Sequence, residues 1–211
     1  MAKYLKKFEN HAAYETAQSG LILPNVSLCV SENEVHYNPY VDPYVGHAYV
    51  DLGLPSGTKW ATMNVGALSE TDYGNYYKYG LGASQYDSAQ ADYYGTENPL
   101  AASADTAVQV WGGQWHTPTK AQFEELISNT TYEWITIGGI NGGKFTAQNG
   151  NYVFLPASGS WYWGTQYGLG ESGYYWGSTY PLCEMSFGSE RVTIYDEYRP
   201  ENGYSVRPVV G

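Results

Sequence analysis

Apolar residues recur along this chain mostly at strand spacing, and at helical spacing in one clear place. Thr119 and Gln122 form a capping box, in which each side chain can bond the backbone N–H of the other residue. Phe123, Leu126 and Ile127 follow at i, i+3 and i+4 and share one helix face. The pattern therefore predicts a helix that begins after Thr119 and packs this face on a sheet.

Short strands account for most of the remaining pattern. Segments 49–52 and 59–63 flank the turn sequence LPSG, and KFTA and YVFL flank Asn149-Gly150, a pair typical of type I′ hairpin turns. EMSF and RVTIY flank a Gly-Ser pair as a second hairpin, and SVRPV ends the chain as a strand. The region 73–94 is rich in Tyr, Gly, Ala and Ser without clear periodicity, which predicts a surface loop.

The first 46 residues follow a different pattern. Asn10 can cap a helix of about two turns over 11–17. LILPNVSLCV predicts a short extended segment, and the Pro-rich HYNPYVDPYVG is typical of a linker. We therefore expect a small N-terminal helix and strand leader over 1–46, serving attachment or assembly, and one further domain over 47–211.

Composition excludes several classes of protein. The 211 residues carry 21 acids against 10 bases, and this formal charge of -11 disfavours binding to nucleic acid. No apolar run reaches the length of a membrane span or forms a signal-peptide core, so we expect no membrane insertion. Virion association or export by a non-Sec route are the expected localisations. Cys29 and Cys183 show no metal or disulfide spacing.

The chain offers few residues in patterns that carry chemistry. The four histidines, which lie in no metal-binding or nucleophile motif, are His11, His36, His47 and His116. Adjacent carboxylates such as Glu124 and Glu125 diverge on a helix and form no acid–base pair. Glu97-Asn98-Pro99 offers oxygen ligands of the kind that bind calcium. It is only a weak indication of a calcium site, because calcium needs about six to eight oxygen ligands and the sequence shows no further ones. The sequence predicts no catalytic residue, no metal site, no cofactor and no enzyme activity.

Aromatic residues are concentrated in the C-terminal segment 173–204. The chain has 23 Tyr, and seven Tyr and Trp residues of this segment stand among Ser, Pro, Asp, Glu and Arg. Tyr and Trp give large contact areas at low entropic cost, and small polar residues adapt the hydrogen bonds around them. The composition is typical of a surface that binds a partner; a Tyr-rich sheet surface without a ligand is the alternative.

Six segments spread in order along the chain carry a resemblance to a known family. They are YVDLGLPSGTKWATMNVGA, DYGNYYKYG, WGGQWHTPTKAQFEELI, NGNYVFLPASG, GYYWGST and SVRPV. Over 49–209 the chain resembles bacterial and phage proteins with the formylglycine-generating-enzyme type of C-type lectin fold. It is most similar to variable proteins of diversity-generating retroelements, in which adenine-directed mutagenesis rewrites C-terminal codons and so diversifies ligand binding.

The resemblance implies an α+β, C-type lectin-like fold with short strands and paired terminal strands, and a variable region over about 174–209. Scaffold positions carry over to Trp176, Phe187, Ser189, Val192, Arg199, Gly203 and the SVRPV strand. The intervening positions are the candidate ligand-binding residues: Tyr180, Pro181, Leu182, Glu184, Ser186, Gly188, Glu190, Arg191, Thr193, Tyr195, Asp196, Glu197, Tyr198, Pro200, Glu201, Asn202 and Tyr204. On strand 191–195, alternation predicts that Val192 and Ile194 point inward.

The genetic code separates these candidates into two groups. An Asn template codon with both adenines randomised and a pyrimidine kept third can encode most of them, Tyr, Asp, Arg and Pro included. It cannot encode glutamate, which excludes Glu184, Glu190, Glu197 and Glu201 from this route. Those four residues are therefore fixed or templated by another codon.

The predicted partner is an unknown protein or glycan ligand, with a host-cell receptor among the candidates. Sulfatase-activating oxidases share the implied fold, but they need a C-terminal cysteine pair and only Cys183 lies there. Two alternatives stay open: a fixed structural or adhesive virion or surface protein, and calcium-dependent sugar binding. For the binding hypothesis, changing Tyr180, Tyr195, Tyr198 and Tyr204 together to alanine should abolish ligand capture and leave the melting temperature nearly unchanged.

Overall fold

The computed structural model describes residues 46–196 and 199–211, together with the backbone of two earlier strands. The chain divides into two compact units, residues 1–46 and 47–211.

In the first unit, β1 (Ser27–Ser31) pairs antiparallel with β2 (Glu34–Asn38). The extended segment expected here therefore contains a strand, and β2 includes the first residues of the predicted linker. The helix expected over 11–17 lies outside the described residues.

The second unit is a sheet-rich α+β domain. Its helices in the described chain are α1 (Thr106–Trp111) and α2 (Lys120–Asn129). Its strands are β3 (Tyr49–Asp51), β4 (Lys59–Ala61), β5 (Thr130–Ile137), β6 (Ile140–Ala147), β7 (Tyr152–Pro156), β8 (Ser160–Tyr162), β9 (Thr165–Tyr167), β10 (Ser172–Trp176), β11 (Glu184–Gly188), β12 (Val192–Tyr195) and β13 (Val209–Val210). They form sheets in the orders β13-β4-β3, β5-β6-β7 and β10-β11-β12, and a hairpin β8-β9.

Helix α2 confirms the capping prediction. Thr119 Oγ1 accepts a bond from the Gln122 N–H at 3.3 Å, and Gln122 Oε1 accepts one from the Thr119 N–H at 2.9 Å. Phe123 and Leu126 are fully buried, and Ile127 packs against the same core. The sequence analysis missed α1, which has only six residues and begins after Asp105.

Both predicted hairpins are present, but the first turn differs from the prediction. The backbone N–H of Ala147 donates to the carbonyl of Asn151, so residues 148–150 form a three-residue loop. Gly150, with φ 85°, is the loop residue in the left-handed region, as expected for a three-residue hairpin loop. The two-residue type I′ turn expected at Asn149-Gly150 is therefore wrong, although the hairpin itself is confirmed.

The expectation of a surface loop over 73–94 is also wrong in part. Tyr77 and Tyr79 are almost completely buried, and so is Lys78. The backbone of Tyr77 exchanges two hydrogen bonds with that of Tyr204, at 2.9 and 3.0 Å. This middle segment therefore contributes to the interior, and it supports the C-terminal segment directly.

Aromatic side chains dominate the core. Trp60 and Phe123 lie 5.9 Å apart between ring centroids, and Tyr175 stacks on Phe187 at 5.7 Å. β13 pairs antiparallel with β4 and so joins the two ends of the domain, but of the predicted SVRPV strand only Val209 lies in β13. The core therefore ties the C-terminal segment to both the helix and the first strands.

Arg207 is fully buried at the end of this core. Its guanidinium donates to Asn64 Oδ1 at 2.8 Å and to the carbonyls of Ala61 and Phe154 at 2.9 and 3.0 Å. Burial lowers the pKa of Arg207 to about 10. Ala61 and Asn64 belong to one segment and Phe154 to another, so this side chain holds both of them to its own C-terminal segment, three segments in all.

Candidate functional site

The sheet β10-β11-β12 separates core positions from outer positions. Met185 and Phe187 are buried in the core, and Val192 and Ile194 pack against the same core, as the alternation predicts. The alternate positions lie on the opposite face. Register places Tyr174, Ser186 and Thr193 in one row and Trp176, Glu184 and Tyr195 in the next. We call these six residues the outer face.

Tyr204 covers one edge of the outer face. Its ring lies 4.2 Å from the Trp176 ring and is stacked on the Tyr174 ring at 5.3 Å between centroids. The Asn202 amide donates to the Tyr204 hydroxyl, and the side chain of Tyr204 is only 2% exposed. Tyr204 is therefore a packed part of this surface.

A cleft of about 500 Å³ opens beside this packed group, and we call it the C-terminal cleft. The residues that line it are Ser160, Tyr162, Tyr167, Tyr174, Glu184, Arg199, Glu201, Asn202 and Tyr204. Tyrosine rings from β8, β9, β10 and the C-terminal segment thus meet carboxylate, guanidinium and amide groups. This mixture offers apolar area together with donors and acceptors of hydrogen bonds.

Two features of the cleft lining concern its polar groups. Asn202 is 7% exposed, and its Oδ1 has no hydrogen-bond partner among the described residues. A buried acceptor left in this state costs about 1–3 kcal/mol unless something donates to it. Burial, with Glu184 nearby as a smaller cause, raises the pKa of Tyr204 far above its usual range. Its hydroxyl therefore stays protonated at neutral pH.

The candidate residues divide by exposure. Exposed are Tyr180, Pro181, Glu190, Arg191 and Asp196; half-buried are Ser186, Gly188, Thr193, Tyr195 and Glu201; buried are Leu182, Glu184, Pro200, Asn202 and Tyr204. Glu197 and Tyr198 lie outside the described residues. Asp196 forms an ion pair with Lys120.

The five buried candidates do not display their side chains at the open surface, as residues of a binding face would. Leu182 is completely buried, and neither it nor Pro200 lines the C-terminal cleft. Glu184, Asn202 and Tyr204 are also buried, but they line the cleft and can be reached through it. The alanine change proposed for four tyrosines must therefore also affect stability, because Tyr204 is packed.

Similarity to known proteins supplies no family for this chain. No family model matches it, and no curated protein or solved structure matches it either. The function must therefore be inferred from the residues of the chain itself.

Sequence reasoning missed part of the cleft lining. Arg199 was assigned to the scaffold, yet it is exposed and lines the C-terminal cleft. Tyr162 and Tyr167 come from the hairpin β8-β9, which precedes the predicted variable region. A signal was available: four aromatic residues surround one Gly in SWYWGTQY, more than so short a hairpin can bury.

The other candidate groups have structural partners. Glu97 Oε2 accepts from the Tyr93 hydroxyl at 2.6 Å, and Asn98 Oδ1 accepts from the Tyr180 N–H at 3.2 Å. Burial raises the pKa of the Cys183 thiol to about 11, so it is protonated at neutral pH. Among described residues, no group of three metal-ligating side chains occurs. No described helix is both long and apolar enough to cross a membrane.

Tyrosines whose pKa is raised by full or partial burial predict a loss of stability at alkaline pH. Burial raises the pKa of Tyr76 and of Tyr132 to about 12, and that of Tyr204 further. Exposed or unfolded tyrosine ionises near 10, so the stabilisation is complete below that pH and is lost as the pH rises towards 12. Phenolate absorbance should rise in two phases, and far-UV circular dichroism should collapse with the second. One phase without unfolding would contradict this expectation.

Proposed function

We propose that this protein is a hypervariable ligand- or receptor-binding protein, diversified by a retroelement, that displays a Tyr-rich face on an invariant C-type lectin-like scaffold. One observation carries the proposal. Six of the nine residues that line the C-terminal cleft lie between 174 and 204, inside the segment that the resemblance assigns to variation. They are Tyr174, Glu184, Arg199, Glu201, Asn202 and Tyr204, of which Asn202 and Tyr204 are candidate positions that the Asn template codon can encode.

The division of β11 and β12 between core and outer positions supports diversification. Met185, Phe187, Val192 and Ile194 hold the core, while the alternate positions face away from it. Ser186, Thr193 and Tyr195 are half-buried at these alternate positions, so changing them should cost less stability than changing a core residue. A chain built in this way can change these three positions and still keep its fold.

The chemistry of the cleft favours a ligand with both polar and aromatic contacts. Glu184 and Glu201 are acceptors for hydroxyl or N–H donors, and Arg199 can donate to a carboxylate or carbonyl. Asn202 Oδ1 is a buried acceptor that a donor on the ligand would satisfy. Exposed tyrosines such as Tyr180 add contact area at the surface.

The decisive experiment is to sequence the DNA that flanks the gene. We expect a reverse-transcriptase gene and a near-copy of the codons for residues 174–209, with mismatches confined to adenines of that copy. Mismatches should occur at codons for Arg191, Thr193 and Tyr195, and none at those for Met185 and Phe187. Absence of both the copy and the reverse transcriptase would reject diversification.

A fixed structural or adhesive role is the second candidate. The observation that favours it is a set of exposed apolar side chains, Tyr162, Tyr167, Leu169 and Tyr180, which a neighbouring subunit could cover. Light scattering after size-exclusion chromatography separates the two functions. An obligate oligomer that dissociates on Tyr167→Ser and Tyr180→Ser would favour this role, and unchanged mass would favour ligand binding.

A further inference from the structure

The hairpin β8-β9 ends in a turn with an unexpected residue. Its two loop residues, Trp163 and Gly164, both have positive φ, 47° and 74°. A positive φ places a residue in the left-handed region of backbone conformation. Trp163 is the one described residue other than glycine that lies there. The turn between β5 and β6 has the same length and uses two glycines, Gly138 and Gly139, at φ 57° and 85°. Tryptophan in a left-handed conformation costs about 1–2 kcal/mol, because its Cβ approaches the backbone.

Packing does little to offset this cost. The side chain of Trp163 is 71% exposed, and its ring meets that of Tyr162 edge-on at 6.2 Å between centroids. Asparagine or glycine would form the same turn with less strain. A strained, exposed tryptophan at a hairpin tip points to a contact outside the fold.

Trp163 lines a second cleft, of about 350 Å³, which we call the hairpin cleft. Tyr94 also lines it and is 71% exposed. Lys78 holds the segment that carries Tyr94, since its buried ammonium donates to the Gln90 carbonyl at 2.6 Å and to Asp92 Oδ1 at 3.1 Å. The hairpin cleft therefore has two exposed aromatic side chains. Tyr94 lies on the segment that Lys78 holds in place, and Trp163 lies at the tip of the hairpin.

Polar groups accompany these rings. Ser88, Asp92 and Glu201 line the hairpin cleft, and Glu201 also lines the C-terminal cleft. Carboxylates accept hydrogen bonds from hydroxyl groups, and the serine hydroxyl both donates and accepts. Lys78 also lines the cleft and offsets the charge of Asp92, so Glu201 and the formal charge of -11 are what disfavour an anionic ligand.

We propose that the hairpin cleft binds a neutral pyranose residue of a glycan. A pyranose with equatorial substituents has one face of C–H groups, and this weakly positive face stacks on the negative face of an aromatic ring. Its hydroxyls would donate to Asp92 and Glu201 while Trp163 and Tyr94 contact the ring faces. The two stacking rings do not depend on the retroelement, because Trp163 and Tyr94 precede residue 174, whereas Glu201 belongs to the predicted variable region and lines both clefts.

Calorimetric titration with three neutral hexasaccharides, cellohexaose, hexa-N-acetylchitohexaose and mannohexaose, tests this site. The wild-type chain should bind at least one, and Trp163→Asn should weaken that binding at least tenfold. The same variant should raise the melting temperature, since asparagine suits the turn. Tyr94→Leu should weaken binding as well. Sorbitol, which has hydroxyls but no pyranose ring, should not bind.

Tyr152→Leu is the matched control, because Tyr152 is an exposed aromatic residue that lines neither cleft. It should bind the saccharide as the wild type does. The proposal is overturned if no hexasaccharide binds, if Trp163→Asn binds as tightly as the wild type, or if Tyr152→Leu loses equal affinity. A failure here leaves the DNA test of diversification unaffected.

Discussion

Arg207→Ala should lower the free energy of unfolding by about 4 kcal/mol or more, a large fraction of the stability of an ordinary domain. The change leaves a cavity in place of a fully buried side chain. It also removes the donor for Asn64 Oδ1 and for the carbonyls of Ala61 and Phe154. Each buried acceptor without a partner costs about 1–3 kcal/mol. Urea unfolding followed by circular dichroism measures the loss.

Two further variants identify the cause of this loss. Arg207→Lys keeps the charge but lacks the planar fork that reaches three acceptors, so it should recover only part of the stability. Arg191→Ala is the matched control, since Arg191 is exposed, and its effect should stay within about 0.5 kcal/mol. If Arg207→Ala lowered the free energy of unfolding no more than Arg191→Ala does, the hydrogen bonds of Arg207 would not be what holds the three segments together.

Local patterns predicted the elements that depend on local chemistry. The capping box at Thr119 and the apolar face of α2 required only neighbouring residues, and both are present. The two hairpins depend on alternation across a short turn, and they too are present. Turn geometry was less accessible, because Asn149-Gly150 suits more than one loop length and register decides between them.

Features that depend on distant residues were not accessible from local patterns. The segment around Tyr77 looks like a loop in sequence, yet Tyr77 pairs with Tyr204, which lies 127 positions further along the chain. Nothing near Arg207 in sequence shows that Asn64 and Phe154 are its partners. Burial of this kind arises when separate segments meet.

Dependence on distant residues also explains why the sequence predicted only part of the site. Alternation gave the outer positions of β12 correctly, with Val192 and Ile194 against the core. It did not show that Tyr204 would fold over Trp176, or that Tyr162 and Tyr167 would line the C-terminal cleft. A cleft formed by three segments leaves only a compositional signal, an excess of aromatic residues, in each of them.

Tyr204→Ala should lower the free energy of unfolding by about 4 kcal/mol, in the range of large aromatic truncations in cores. The ring is 2% exposed and packs on Trp176 and Tyr174, so its removal opens a cavity beneath the C-terminal cleft. Tyr180→Ala, at an exposed tyrosine of the same segment, should change stability by less than about 0.5 kcal/mol. Thermal and urea unfolding of both variants measure the difference.

Tyr204→Phe separates packing from hydrogen bonding at this position. The ring remains, but Asn202 loses the hydroxyl that accepts from its amide, which should cost about 1–2 kcal/mol. This variant keeps the cleft and is the one to use in ligand capture, because a loss of binding then reflects the hydroxyl. If Tyr204→Ala proved as stable as the wild type, Tyr204 would be a free surface anchor. The packing of Tyr204 on Trp176 and Tyr174 beneath the C-terminal cleft would then contribute nothing to stability.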